Sequence, residues 1–156
     1  MLTLEQKACN ADTYDHINKV QYFMHKFIKD LLDRANKHDQ SKLQSPEVEH
    51  FTELTPKLAN TTYGSPEFNK TKELLGPALE HHYANNRHHP EHFKNGIAGM
   101  NLLDLVEMFC DWKASSMRHN DGNLLKSIQI NSKRFDLSPQ LESIFYNTAD
   151  FIEQGQ

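Results

Sequence analysis

Apolar residues recur every three or four positions along most of this chain and nowhere alternate, so its apolar surface can be buried only by packing helices against one another. The clearest stripe is Ile17, Val20, Met24, Phe27, Leu31 and Ala35, which predicts a helix from about residue 13 to about 36. Asp12 is placed to cap its first amides, Asp15 adds favourable charge there, and His16 falls in the first turn. Ser45-Pro46-Glu47, Ser65-Pro66-Glu67 and Ser138-Pro139-Gln140 each set a capping serine before a proline at the first helical position, marking three more starts. Phe68, Leu75, Leu79 and His82 share one side of the segment after Ser65. A kink is expected there near Glu73, because Pro77 has no amide hydrogen to give. Asn95-Gly96 marks a turn, and Met100, Leu103, Val106, Met108, Phe109 and Trp112 then predict a helix lasting to about Arg118. Asn120-Asp121-Gly122 breaks the chain. Helical spacing resumes over residues 124 to 130, and Leu141, Ile144, Phe145, Thr148 and Ile152 form the last stripe.

The expected architecture is therefore all-α, a bundle of about six to seven helices in one domain spanning residues 1–156. The longest irregular stretch is expected at residues 55–64. Phe23, Phe27, Met100, Met108, Phe109, Phe145 and Phe151 are expected in the core, and Cys110 as an inert buried thiol. No apolar run approaches the ~20 residues that a bilayer span requires, and Met1 to Lys7 lacks the basic start and apolar stretch of a leader, which predicts a cytoplasmic protein without membrane partners. A formal net charge of -4 argues against stable binding to duplex nucleic acid, which needs a basic footprint. Cys9 and Cys110 are too few for a disulfide framework and lack thiolate-site spacing.

Histidine is the unusual component. The chain carries 10, several beside one another or beside acids: His16, His38-Asp39, His81-His82 and His88-His89, followed by Asp104, Glu107 and Asp111 three and four residues apart. All are metal-ligand types, and helices packed in a bundle bring such distant positions together. Three carboxylates on an otherwise apolar helix are costly to bury unless they meet a metal, histidine or arginine, so they too point to a polar site. The apolar stripe of Leu75 and Leu79 turns His82 inward rather than His81.

The order His, His-Asp, His, His, Asp resembles the HD superfamily of metal-dependent phosphohydrolases. Asp15-His16-Ile17-Asn18-Lys19-Val20 looks like that superfamily's first helix. His38-Asp39-Gln40-Ser41-Lys42 is similar to its HD-x-G-K signature with Ser41 in the glycine position, and Phe109-Cys110-Asp111-Trp112-Lys113-Ala114-Ser115 is similar to its closing aspartate segment. The run from His81 to His92, together with Asp111-Trp112, resembles an uncharacterised HD-like family common in phage and bacterial genomes. The resemblance implies an HD-type helical bundle and assigns His16, His38, Asp39 and Asp111 as ligands, with one member of each pair His81/His82 and His88/His89 added and Asp104 the alternative to Asp111. Comparison with double-histidine members favours His81, against the stripe. Further implications are one or two divalent ions (Mn, Fe, Zn, Co, Ni or Mg) and a small phosphorylated substrate such as a nucleotide. Lys42 and Arg87 would stabilise phosphoryl charge, and Glu107 would act as a proton-handling or ligand-orienting acid. Other members of the resemblance are di-iron oxygenases, and a non-catalytic nucleotide binder with a structural metal is the remaining alternative. Association into a homo-oligomer stays open.

Overall fold

The computed structural model describes residues 1–59, 61, 66–118 and 122–154. The described residues form seven α-helices: α1 (Leu4–Lys37), α2 (Glu47–Ala59), α3 (Pro66–Leu74), α4 (Gly76–Asn85), α5 (Leu102–Ser116), α6 (Leu124–Phe135) and α7 (Pro139–Gln154). Single 3-10 turns occupy Gln40–Leu43, Pro90–His92 and Gly96–Gly99, and no strand occurs among the described residues. None of the described helices is long and apolar enough to cross a membrane. Two compact units result, residues 1–37 and 38–156.

The first unit is α1 itself. It starts at Leu4 rather than near residue 13, because Thr3 and Gln6 form a reciprocal cap: the Gln6 amide donates to Thr3 Oγ1 and the Thr3 amide to Gln6 Oε1. This corrects the placement of His16, which lies well inside the helix and not in its first turn. Asp12 consequently caps nothing, whereas Asp15 pairs with Lys19 one turn on.

In the second unit α2 packs against α4, while α5, α6 and α7 pack in sequence. Met108, Phe109 and Trp112 of α5, Leu124 and Ile128 of α6, and Phe145 and Ala149 of α7 form a continuous core with Leu137. Its centre is aromatic: Trp112 stacks on Phe135 with ring centroids 6.4 Å apart and meets Phe145 edge-on at 5.5 Å. Phe151, expected in this core, is 78% exposed, since Phe145 and Ala149 supply the inward face of α7. Cys110 is also exposed rather than buried, being on the side of α5 away from Met108 and Trp112.

Proline positions determine where helices begin. Pro66 and Pro139 open α3 and α7, and Ser138 Oγ accepts the Leu141 amide as the cap requires. Ser65 lies outside the described residues, as do residues 119–121 and with them most of the expected Asn120-Asp121-Gly122 break. Pro77 interrupts the chain more thoroughly than a kink: α3 ends at Leu74, and α4 begins at Gly76 with Pro77 in its first turn. Gly96 has φ +55°, the left-handed conformation the Asn95-Gly96 turn calls for. The stretch expected to be irregular from residue 55 is helical to Ala59.

Truncating Ile128, completely enclosed in the α5–α6–α7 core, is expected to cost about 2–5 kcal/mol as Ile128→Ala. Phe151→Ala should stay within about 0.5 kcal/mol. Urea unfolding of the two variants measures this difference, and equal losses would contradict the core described.

Candidate metal centre

Residues from four parts of the second unit converge. His38 and Asp39 lie in the turn entering Gln40–Leu43, His82 is on α4, His88 and His89 are in the loop after α4, and Glu107 and Asp111 are on α5. Asp39 has φ 57°, a left-handed conformation rare outside glycine but tolerated by aspartate, and it aims the carboxylate into the cluster. Asn86 ends α4 and secures the next turn, donating to the His82 carbonyl at 2.8 Å and to Ser41 Oγ at 2.8 Å.

Two sets of ligand atoms are close enough to surround an ion. One comprises Asp39, His82, His88 and His89; the other comprises His38, Asp39, His88 and Asp111. His82 Nε2 lies 3.3 Å from Asp39 Oδ1 and 2.9 Å from His89 Nε2. His88 Nε2 is 3.6 Å from Asp39 Oδ1, and His38 Nε2 is 3.6 Å from Asp39 Oδ2 and 3.8 Å from Asp111 Oδ1. Most of these separations exceed a good hydrogen bond. Bonds of about 2.0–2.2 Å to a divalent ion place neighbouring donors roughly 2.8–3.6 Å apart, which the spacings match except for the slightly longer contact to Asp111. His88 Nε2 and Asp39 Oδ1 are moreover buried without hydrogen-bond partners. Such atoms are rare in folded proteins unless something else satisfies them, and both belong to ligand types. The residues therefore fit a divalent cation of the Zn, Mn, Fe, Co or Ni kind, for which mixed imidazole and carboxylate donors are suited.

Behind the imidazoles stand two carboxylates. Glu107 Oε1 accepts from His38 Nδ1 at 3.0 Å and lies 3.2 Å from His88 Nδ1. Glu47, fully buried at the start of α2, accepts from His81 Nδ1 at 2.7 Å and from His82 Nδ1 at 2.9 Å. A carboxylate that keeps the hydrogen on Nδ1 leaves the Nε2 lone pair facing the cluster.

The electrostatics agree with this orientation for His82 and separate His38, whose Nε2 must shed a proton before it can ligate. Asp111 and then Glu107 raise the metal-free His38 to about 10. Burial pushes His82 down, helped by the nearby Lys42 charge, and burial with His88 pushes His89 down further, so both rings are neutral. Burial would raise Asp39, Glu107 and Asp111, but it is outweighed: Lys42 holds Asp39 low, and imidazole hydrogen bonds, that from His38 foremost, do so for Glu107 and Asp111. Lys42 Nζ meets Asp39 Oδ2 at 2.6 Å and lies over the Phe51 ring.

The other candidates take different places. His81 is partly exposed and touches Glu47 rather than either ligand set; Asn85 beside it donates to the His81 carbonyl. Both His88 and His89 join the cluster, where one of the two was expected. His16 belongs to the first unit, and both ligand sets are composed of second-unit residues. Asp104 is buried at the start of α5, where it accepts the Asn101 amide in a capping box and is gripped by Arg87 Nε and Nη2, each at 3.1 Å. That pairing commits Arg87 to the α5 terminus, and it leaves Asp111 as the aspartate of α5 that faces the histidines. Glu47 escaped sequence reasoning because an acid in the first turn of a helix is ordinary and normally solvated.

The chain belongs to a family of unknown function (DUF5662), whose model matches residues 5–151. No curated protein and no solved structure matches it.

Chelator-stripped protein is expected to take up divalent metal, and Asp111→Ala to lose the part of that uptake held by the His38, Asp39, His88 and Asp111 set. Asp104→Ala should keep it while losing about 1–2 kcal/mol of stability with the α5 cap and the partly exposed Arg87 pair. Metal analysis beside thermal unfolding separates them. Ligation needs a bare His38 Nε2, and the metal-free ring is protonated up to about pH 10, so binding at neutral pH should release a proton. Affinity should then rise with pH by about tenfold per unit for each proton released. Calorimetry in buffers of different ionisation enthalpy checks the release.

Proposed function

We propose that this member of DUF5662 is a metal-dependent phosphohydrolase acting on a small phosphate ester such as a nucleotide, as the resemblance to the HD superfamily implies. The observation that supports it most is the placement of a lysine ammonium on the same aspartate that serves both ligand sets: Lys42 Nζ lies 2.6 Å from Asp39 Oδ2. A cation at the edge of a cluster of His and Asp donors is what a doubly charged phosphoryl group requires, since its oxygens must be shared between metal and a positive side chain.

A divalent ion bound there would polarise a phosphoryl oxygen and lower the pKa of a water, supplying a nucleophile at neutral pH. Asp39, His82, His88 and His89, or His38, Asp39, His88 and Asp111, would hold it, either set leaving coordination positions for water and phosphate. Glu107 works as a positioning residue, since its carboxylate accepts from His38 Nδ1. Lys42, about one-third exposed, can turn from Asp39 to an incoming phosphate and stabilise the charge that grows on its oxygens as the bond from phosphorus to the leaving oxygen breaks. Hydrolysis adds water across that bond: the new oxygen joins phosphorus, and the leaving oxygen departs with a proton. Arg87, paired with Asp104, is given no part in this scheme.

Phosphate release from a panel of nucleotides and simple phosphate esters, with each metal in turn, tests the reading. Lys42→Ala is expected to retain metal and to lose roughly 10²-fold or more in rate, the effect of deleting one preorganised charge-stabilising donor. Asp39→Ala should lose metal and rate together. Oxygen consumption by the iron-loaded protein, with no phosphate released from any ester, would replace hydrolysis with oxygenase chemistry.

A further inference from the structure

The two carboxylates behind the imidazoles do not serve the same rings, and the ligands they support are not the same set. Asp39 divides the cluster: its Oδ1 faces His82 and His88, whereas its Oδ2 faces His38. His82 and His89 belong to one ligand set and His38 and Asp111 to the other, with Asp39 and His88 common to both. His88 cannot join two ions at once through Nε2, because that nitrogen has one lone pair and Nδ1 is turned to Glu107. The ligands that distinguish the halves are therefore His82/His89 and His38/Asp111.

Glu107 stands behind His38. Glu47 stands behind His82 from the opposite element, α2, which contributes no ligand of its own. Several contacts converge on His82 Nδ1, and hydrogen counting decides among them. The two hydrogens on Asn86 Nδ2 go to the His82 carbonyl and to Ser41 Oγ, both at 2.8 Å. Nδ1 is left to donate to Glu47 Oε2 at 2.9 Å, which requires the tautomer with Nε2 bare. The fully buried Glu47 carboxylate receives both imidazole N–H groups, with the Ser41 hydroxyl beside them.

We propose that Glu47 is the positioning residue of the His82/His89 half of the centre and Glu107 that of the His38/Asp111 half, so that each carboxylate sets the affinity of one ion. This rests on the metal reading above but not on the identity of the substrate. It also assigns a function to a residue that touches no ligand atom of Asp39, His88 or His89.

The test uses the chelator-stripped full-length protein titrated with Co²⁺, read by its visible absorption and by metal analysis. Wild type is expected to take up two ions in two steps. Glu47→Gln keeps the shape but brings an amide hydrogen against one imidazole N–H, and should weaken one step by about 10–100-fold while leaving the other. Glu107→Gln should weaken the other step by a similar factor. His81→Ala removes the second partner of Glu47 without touching the Glu47–His82 bond and should leave both steps in place, which a merely structural role for Glu47 does not require. His82→Ala should weaken the same step as Glu47→Gln, with the double variant little worse than His82→Ala alone. Glu47→Asp, which retains the charge and draws the acceptor back by one methylene, takes the place of the glutamine variant if that chain does not fold. A single uptake step in wild type, or one step weakened by both glutamine variants, would overturn the division while leaving a metal centre. Failure of both Glu47 variants to fold would also overturn it, reducing Glu47 to a structural residue. No uptake by wild type would overturn the metal reading itself.

Discussion

Everything distinctive in the second unit depends on keeping several imidazoles and carboxylates together out of water. Taken singly, each such group is expensive to bury, and the structure resolves this by alternation: carboxylate, imidazole, carboxylate, moving inward from Glu107 through His38 to Asp111, and from Glu47 through His82 to Asp39. His38 and His82 each give the Nδ1 hydrogen outward and point Nε2 inward. The outward hydrogen bonds lock the rings before any ion arrives, so the donor atoms are already separated by distances that suit coordination better than they suit one another.

Helix α5 shows how the core and the centre share one element. Met108, Phe109 and Trp112 face the aromatic core with α6 and α7, while Glu107 and Asp111, four residues apart, face the histidines. Its N-terminus is held by Asp104, whose carboxylate accepts the Asn101 amide and the Arg87 guanidinium together. The loop carrying His88 and His89 is thereby tied to the start of the same helix that carries Asp111, through the residue just before the two histidines. This tie, with the Asn86–Ser41 hydrogen bond at the end of α4, restrains the loop without touching a ligand atom.

The turn of His38 and Asp39 supplies the remaining geometry. A left-handed aspartate places consecutive side chains on the same cluster, something neither a helix nor a strand does for neighbours in sequence. Lys42, three residues on, returns to the Asp39 carboxylate because the following 3-10 turn brings it around, and the same turn hydrogen-bonds the Lys42 amide to the Asp39 carbonyl at 2.9 Å.

The all-α class was legible in the sequence, because helical spacing of apolar residues and proline at helix starts act within a few residues of each other and need no partner. Local rules also turned His82 inward along the stripe of Leu75 and Leu79. They located α1 less well, since the Thr3/Gln6 cap outranked the apolar stripe as a start signal. Which charged residues meet was decided only by tertiary structure. Asp104 and Asp111 are equivalent acids on one predicted helix, yet one caps α5 against Arg87 and the other faces His38; what separates them is the position of residues up to 73 places away in the chain. Glu47 carried no signal at all: at the first turn of a helix an acid is stabilised by the backbone alone, and only the packing of α2 on α4 removes it from water and sets it against two histidines.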